Sequence, residues 1–97
     1  MKEPTELGEA FDMVCDELLE VFKRKHKDYG KENILSSEEL GILFRTNDKI
    51  SRLRHLLMTE KNPVNESIDD NWIDIAVYAI IAILYRRKWF QELEMKK

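Results

Sequence analysis

Glu66-Ser-Ile-Asp-Asp-Asn-Trp-Ile-Asp-Ile-Ala-Val-Tyr-Ala-Ile-Ile-Ala-Ile-Leu-Tyr85 is the stretch that decides the fold. Its carboxylates Glu66, Asp70 and Asp74 recur at every fourth position, and Asp74 leads straight into an unbroken apolar run from Ile75 to Tyr85. Residues four apart share one helix face, so the acids form a stripe that enters a zone built for burial. Carboxylates are rarely buried without a partner. A divalent cation is a partner that would satisfy several at once. The apolar run is about half of the roughly 20 residues that a membrane span needs, and Asp74 and Arg86 bracket it. It reads as a core helix.

Working outward, the rest of the chain supports an all-α fold. The 97 residues make one domain, 1–97, the natural expectation. Only three Gly and two Pro interrupt a composition that is 43% apolar and 36% charged, which suits long helices better than a sandwich or barrel. A net charge of −3 argues against a general nucleic-acid binder. Basic residues do cluster locally, at Lys23 to Lys27 and at Arg86 to Lys88. The lone Cys15 cannot form an internal disulfide, and no apolar run follows the N-terminus to act as a signal peptide. A cytoplasmic protein with no membrane association is expected.

Three main helices are predicted. The first runs from about Thr5 to Asp28, with Leu7, Phe11, Val14, Leu18, Val21 and Phe22 as its apolar stripe and Gly30 as its stop. Lys31 to Leu35 reads as a short loop. Ser36-Ser-Glu-Glu39 fits the capping-box pattern and opens a second helix that ends near Met58. Thr59 to Asn65 is a polar turn. The third helix runs from about Ser67 to Glu92, with Arg86 to Lys88 toward its C-terminal end, where the dipole favours cations. Because Ile75 to Tyr85 is apolar all round, it needs cover on every side. Two neighbouring helices do not supply that, so a homo-oligomer is expected, most simply a dimer with the third helix near the symmetry axis. A monomer would leave Tyr78 and Tyr85 partly wet.

Four constellations carry the chemistry. Asp16-Glu-Leu-Leu-Glu20 reads alone as a solvated acidic edge. Taken with Asp70 and Asp74, it completes two helices that each offer spaced carboxylates, which can build an oxygen-ligand site for magnesium. Lys27-Asp28-Tyr29-Gly30 reads as a helix C-cap or as a ligand corner, with Tyr29 to stack on a base and Lys27 to meet a phosphate. Arg45, Lys49 and Arg52 line one helix face, suited to a triphosphate or to salt bridges with Asp16 or Glu20. Trp72 reads as packing, yet it adjoins the acidic stripe and could line a pocket. His26 and His55 show no zinc spacing with Cys15. No Ser/His/Asp arrangement, phosphate-binding glycine loop or dinucleotide fingerprint is present.

Lys25-His-Lys-Asp-Tyr-Gly30, Asn47-Asp-Lys-Ile-Ser-Arg-Leu53 and Glu66 to Ala79 together resemble the nucleotide modification associated domain 1 family, which is common in bacteriophages. The chain is also similar to the all-α nucleotide pyrophosphohydrolases of the MazG and dimeric dUTPase type. The MazG pattern has an E-E-x-x-E cluster on one helix and E-x-x-D on a later one. Asp16-Glu17-Leu-Leu-Glu20 falls on the first. Asn71-Trp-Ile-Asp74 falls on the second, with Asn in the place of Glu and Asp70 one position earlier.

The resemblance implies a magnesium-dependent nucleoside triphosphate pyrophosphohydrolase acting on a free, modified or deoxy nucleotide, with manganese able to replace magnesium. Glu17, Glu20, Asp70 and Asp74 would hold the metal, and Asp16 would orient the attacking water as the catalytic base. Lys27, Asp28, Tyr29, Lys49, Arg52 and Trp72 would bind the nucleotide. The alternative, to which Asn71 gives weight, is a non-catalytic phage protein of the host cytoplasm. It would bind and sequester a nucleotide or a cyclic-nucleotide immune signal. A third reading is a helical oligomer for a protein partner, its acidic stripe serving only helix-end electrostatics.

Overall fold

The computed structural model describes residues 2–59 and 68–96. Glu66, the expected helix start at Ser67 and the body of the polar turn, 60–65, lie outside them. The described residues form four helices and no strand: α1 Leu7–Tyr29, α2 Glu32–Met58, α3 Ile68–Arg86 and α4 Trp89–Glu92. None of these helices is long and apolar enough to cross a membrane.

Local chemistry explains each boundary. At the start of α1, Glu6 Oε1 accepts the Gly8 N–H at 2.5 Å and Glu9 Oε1 accepts the Thr5 N–H at 2.6 Å. One orphan amide of the first turn, and the amide just before the N-cap, are thereby satisfied. α1 ends at the expected glycine. Gly30 sits at φ 67°, and its N–H reaches the His26 carbonyl at 2.8 Å.

The start of α2 departs from the expected loop and capping box. Ser36 and Ser37 donate their hydroxyls to the Asn33 carbonyl, at 3.2 and 2.7 Å. A serine that bonds back to the preceding turn sits inside a helix and does not cap a new one. The helix therefore begins at Glu32 and breaks later, at Glu38, where φ is 61° and ψ is −165°. Gly41 makes that break feasible, because a Cβ there would collide with the Ser37 side chain.

The third helix is shorter than expected. It stops at Arg86, and Arg87 and Lys88 form a turn in place of a further helical turn. Lys88 takes the left-handed conformation (φ 66°), and its N–H bonds the Tyr85 carbonyl at 3.0 Å. This reversal lets α4 fold back and bury Phe90. Lys31 fastens the segment that follows, donating to the Leu93 carbonyl at 2.5 Å and to Glu94 at 2.9 Å.

The α2–α3 pair forms the main interface, and α1 and α4 lean on α3. Ile34, Ile42, Val77, Ile81 and Phe90 make one buried cluster, with Leu18, Val21 and Phe22 of α1 packed against it. Full burial of each such side chain contributes about 1.5–3 kcal/mol. The described residues cover one face of α3 more than the other: Val77 and Ile81 are buried, while Ile80 and Ile83 are about half exposed. α1 has no buried residue at all.

Candidate functional site

All four helices contribute to one cavity of about 310 Å³. Its floor is apolar: Ile34 from α2, Val77 and Ile81 from α3, and Phe90 from α4. One wall is aromatic. The His26 ring stacks on Phe22 with centroids 5.5 Å apart and meets Phe90 edge-on at 6.4 Å. Tyr29, about two-thirds exposed, stands at the mouth beside Gly30. The polar groups are Lys25, Asn33, Arg45, Asp74 and the Tyr78 hydroxyl. A mostly apolar hollow with a few convergent polar groups is the usual form of a small-molecule site.

The electrostatics centre on Asp74. Its side chain is 15% exposed, and both oxygens face ammonium groups: Lys25 Nζ at 3.1 Å and Lys49 Nζ at 2.9 Å. Burial alone would raise the Asp74 carboxyl. Hydrogen bonds from Lys49 and Lys25, with the charges of the same two groups, outweigh it and hold the carboxyl below its ordinary value. This one residue ties α1, α2 and α3 together. Arg45 Nη2 makes a long bond, 3.4 Å, to the Asn33 carbonyl across the mouth. A guanidinium has five donors, so this bond positions Arg45 without exhausting it.

The residues expected from the sequence are distributed unevenly around this cavity. Asp74 and Tyr29 line it, and Lys49 stands behind Asp74. Lys27 and Asp28 are exposed on the last turn of α1, outside the lining. Arg52 and Trp72 are also exposed and outside it. Asp16, Glu17 and Glu20 are exposed on α1, and Glu20 pairs with Lys23 at 3.5 Å. Asp70 is exposed on the first turn of α3. Among the described residues, no group of three or more His, Cys, Asp or Glu side chains is arranged to hold a metal ion. With Asp74 committed to two lysines, the described residues do not fit a magnesium site in this arrangement.

Sequence reasoning missed Phe22, His26, Asn33, Tyr78 and Phe90 as cavity residues. It noticed Lys25 only as a member of a basic cluster, and Arg45 as one of a row suited to a triphosphate or to salt bridges. The signal that could have found Lys25 was its neighbour set, since it directly precedes the histidine and the Lys27 to Gly30 corner. Nothing local marks Phe90, which reaches the cavity only because α3 ends early.

Residues 25–85 match the nucleotide modification associated domain 1 family, which is more than half of the chain. The chain belongs to that family. Every lining residue of the cavity except Phe22 and Phe90 falls within the matched segment. No curated protein and no solved structure matches the chain.

Proposed function

We propose that this member of the nucleotide modification associated domain 1 family binds a free nucleotide in the four-helix cavity. The observation that carries the reading is the pairing of chemistries at one opening. Lys25 and Arg45 stand on the rim above an aromatic wall of Phe22, His26 and Tyr29. A phosphate takes charge-assisted bonds from a lysine and a guanidinium. A base takes stacking from aromatic rings, each worth about 1–3 kcal/mol. Asp74 is already neutralised by two lysines, so the carboxylate does not repel an incoming phosphate. Binding without cleavage follows, and it matches sequestration of a nucleotide or cyclic-nucleotide signal in the cytoplasm of an infected cell.

The second reading is magnesium-dependent hydrolysis of a nucleoside triphosphate, in the manner of the MazG-type enzymes that the sequence resembles. It is favoured by the exposed acidic array of Asp16, Glu17 and Glu20 on α1. It requires carboxylates beside Asp74 that the described residues do not place there.

The two readings separate in one experiment. Mono-, tri- and cyclic nucleotides are titrated calorimetrically with and without magnesium, and the recovered ligand is analysed by chromatography. The binding reading expects intact ligand, affinity without metal, and about a tenfold or larger loss in Lys25→Met and Arg45→Met. That factor corresponds to removal of one charged hydrogen bond of about 1.5–3 kcal/mol. Binding indifferent to both substitutions refutes it. Pyrophosphate released only with magnesium, and lost in Asp74→Asn and Glu20→Gln, establishes hydrolysis instead.

A further inference from the structure

The N-terminal half of α1 has an apolar stripe and nothing among the described residues to cover it. Leu7 is 85% exposed and Phe11 74%, and Val14 continues the same face. Only the later residues Leu18, Val21 and Phe22 reach the core cluster. Beyond Tyr78, which lines both hollows, α2 and α3 form a second, open apolar groove of about 430 Å³. Leu40 and Leu43 wall it, and Thr46, Ala79 and Ala82 give it a small-residue floor. Small residues in a groove admit large side chains from outside, as knobs enter holes between packed helices.

The surface area points to a large self-interface. The chain exposes 7963 Å². A compact monomer of 11.6 kDa would expose about 5,800 Å² by the usual scaling with mass. The excess is about 2,100 Å² per chain, within the range buried by each partner of an obligate dimer, roughly 1,000–2,500 Å². The radius of gyration agrees: it is 15.1 Å, against about 12.5 Å for a compact domain of this length.

Charge selects the occupant. The stripe on α1 is flanked by Glu3, Glu6, Glu9 and Asp12. Directly beyond Ala82 lies the basic run Arg86-Arg87-Lys88, where Arg86 holds Glu39 at 2.9 Å beside the groove. Glu39 itself lines the groove and is offset by Arg86, so Arg87 and Lys88 leave the groove's end net positive, complementary to an acidic helix.

We propose that the α2–α3 groove is the docking site for the N-terminal half of α1 from a second copy of this chain. The arrangement is reciprocal, each copy giving its α1 to the other's groove about a two-fold axis. The two contact surfaces are different surfaces, so they can be broken separately and recombined.

The test is light scattering on the intact protein and on two variants, Phe11→Asp and Leu43→Asp. Both positions are exposed in the single chain, and retained helicity by circular dichroism checks each fold. Leu7→Asp and Leu40→Asp serve as the second pair if either variant fails to fold. The wild type is expected at about 23 kDa, twice the 11.6 kDa chain, and each variant at the monomer mass. Mixing the two variants is expected to restore a dimer, because one intact α1 then meets one intact groove. A monomeric wild type, a variant that stays dimeric, or a mixture that stays monomeric each overturns the proposal. Nucleotide binding is read out separately, so failure here leaves the cavity reading standing.

Discussion

Replacing Asp74 by asparagine should cost the fold about 2 kcal/mol at neutral pH while strengthening the hold on a phosphate. The magnitude comes from the two lysine contacts taken separately. The Lys49 bond is 2.9 Å long, and both side chains are largely buried, at 20% and 15% exposed. A hydrogen bond to a charged group in that setting is worth about 1.5–3 kcal/mol. The Lys25 bond is 3.1 Å long, but Lys25 is 48% exposed. Solvent screening reduces its share to about 0.5 kcal/mol. An asparagine carbonyl keeps one weaker acceptor, which leaves a net loss near the low end of the sum. For a domain of this size about 2 kcal/mol lowers the melting temperature by roughly 8–16 °C.

The pH dependence gives the sign. The Asp74 carboxyl is held below its ordinary value, so its contribution is fully present above about pH 4, the unfolded carboxylate range. It is lost as pH falls through the lower folded value. Thermal melts of wild type and Asp74→Asn, at one fixed protein concentration, should therefore differ at pH 7, with the gap narrowing as the pH falls below the unfolded carboxylate range. A double-mutant cycle should give stronger coupling of Asp74 to Lys49 than to Lys25. A gap under about 0.5 kcal/mol at pH 7, below the range set by charged hydrogen bonds, would refute the reasoning. So would a gap that survives unchanged in acid. The same variant decides the role of Asp74 at the site. As a counter-ion it competes for Lys25, and its removal should tighten phosphate binding. As a metal ligand its removal should abolish metal-dependent turnover.

Two further outcomes test the kink in α2. Gly41→Ala should destabilise by about 1–3 kcal/mol, the usual cost of overpacking, because the new Cβ meets the Ser37 side chain. Adding Ser37→Gly should recover part of the loss in a denaturant titration, and an additive double mutant would argue against that contact. Glu38→Gly should raise the melting temperature, because Glu38 sits at φ 61°, ψ −165°, a region that costs a non-glycine residue about 1–3 kcal/mol. A lower melting temperature would show that Glu38 is held there by more than the turn itself.

How much of this was legible beforehand depends on the range of the interaction. The α1 stripe, the stop at Gly30 and the apolar core of α3 are set by spacing and by single-residue preferences, and the sequence shows them. The break at Glu38 is not local in the same way. It follows from two serine hydroxyls choosing the Asn33 carbonyl, a competition that the capping-box pattern does not resolve. The early end of α3 is similar, since the basic triplet satisfies the helix dipole equally well inside the last turn or just beyond it. Phe90 enters the cavity only as a consequence of that choice.

Asp74 shows the limit most clearly. A carboxylate that enters an apolar zone announces that it needs a counter-charge, not which one. Magnesium and a pair of lysines both offset the same desolvation cost, and the acidic stripe looks alike in either case. The deciding residues lie 49 and 25 positions away, at Lys25 and Lys49. The row Arg45, Lys49, Arg52 already placed a cation face on α2, and salt bridges from it to the acids of α1 were among its readings. The helices instead bring Lys49 to Asp74 of α3. Set against the acidic stripe of α3, a lysine of the basic row offers the counter-charge as readily as a metal does. Arg45 at the cavity belongs to the same basic row, while Lys25 comes from α1.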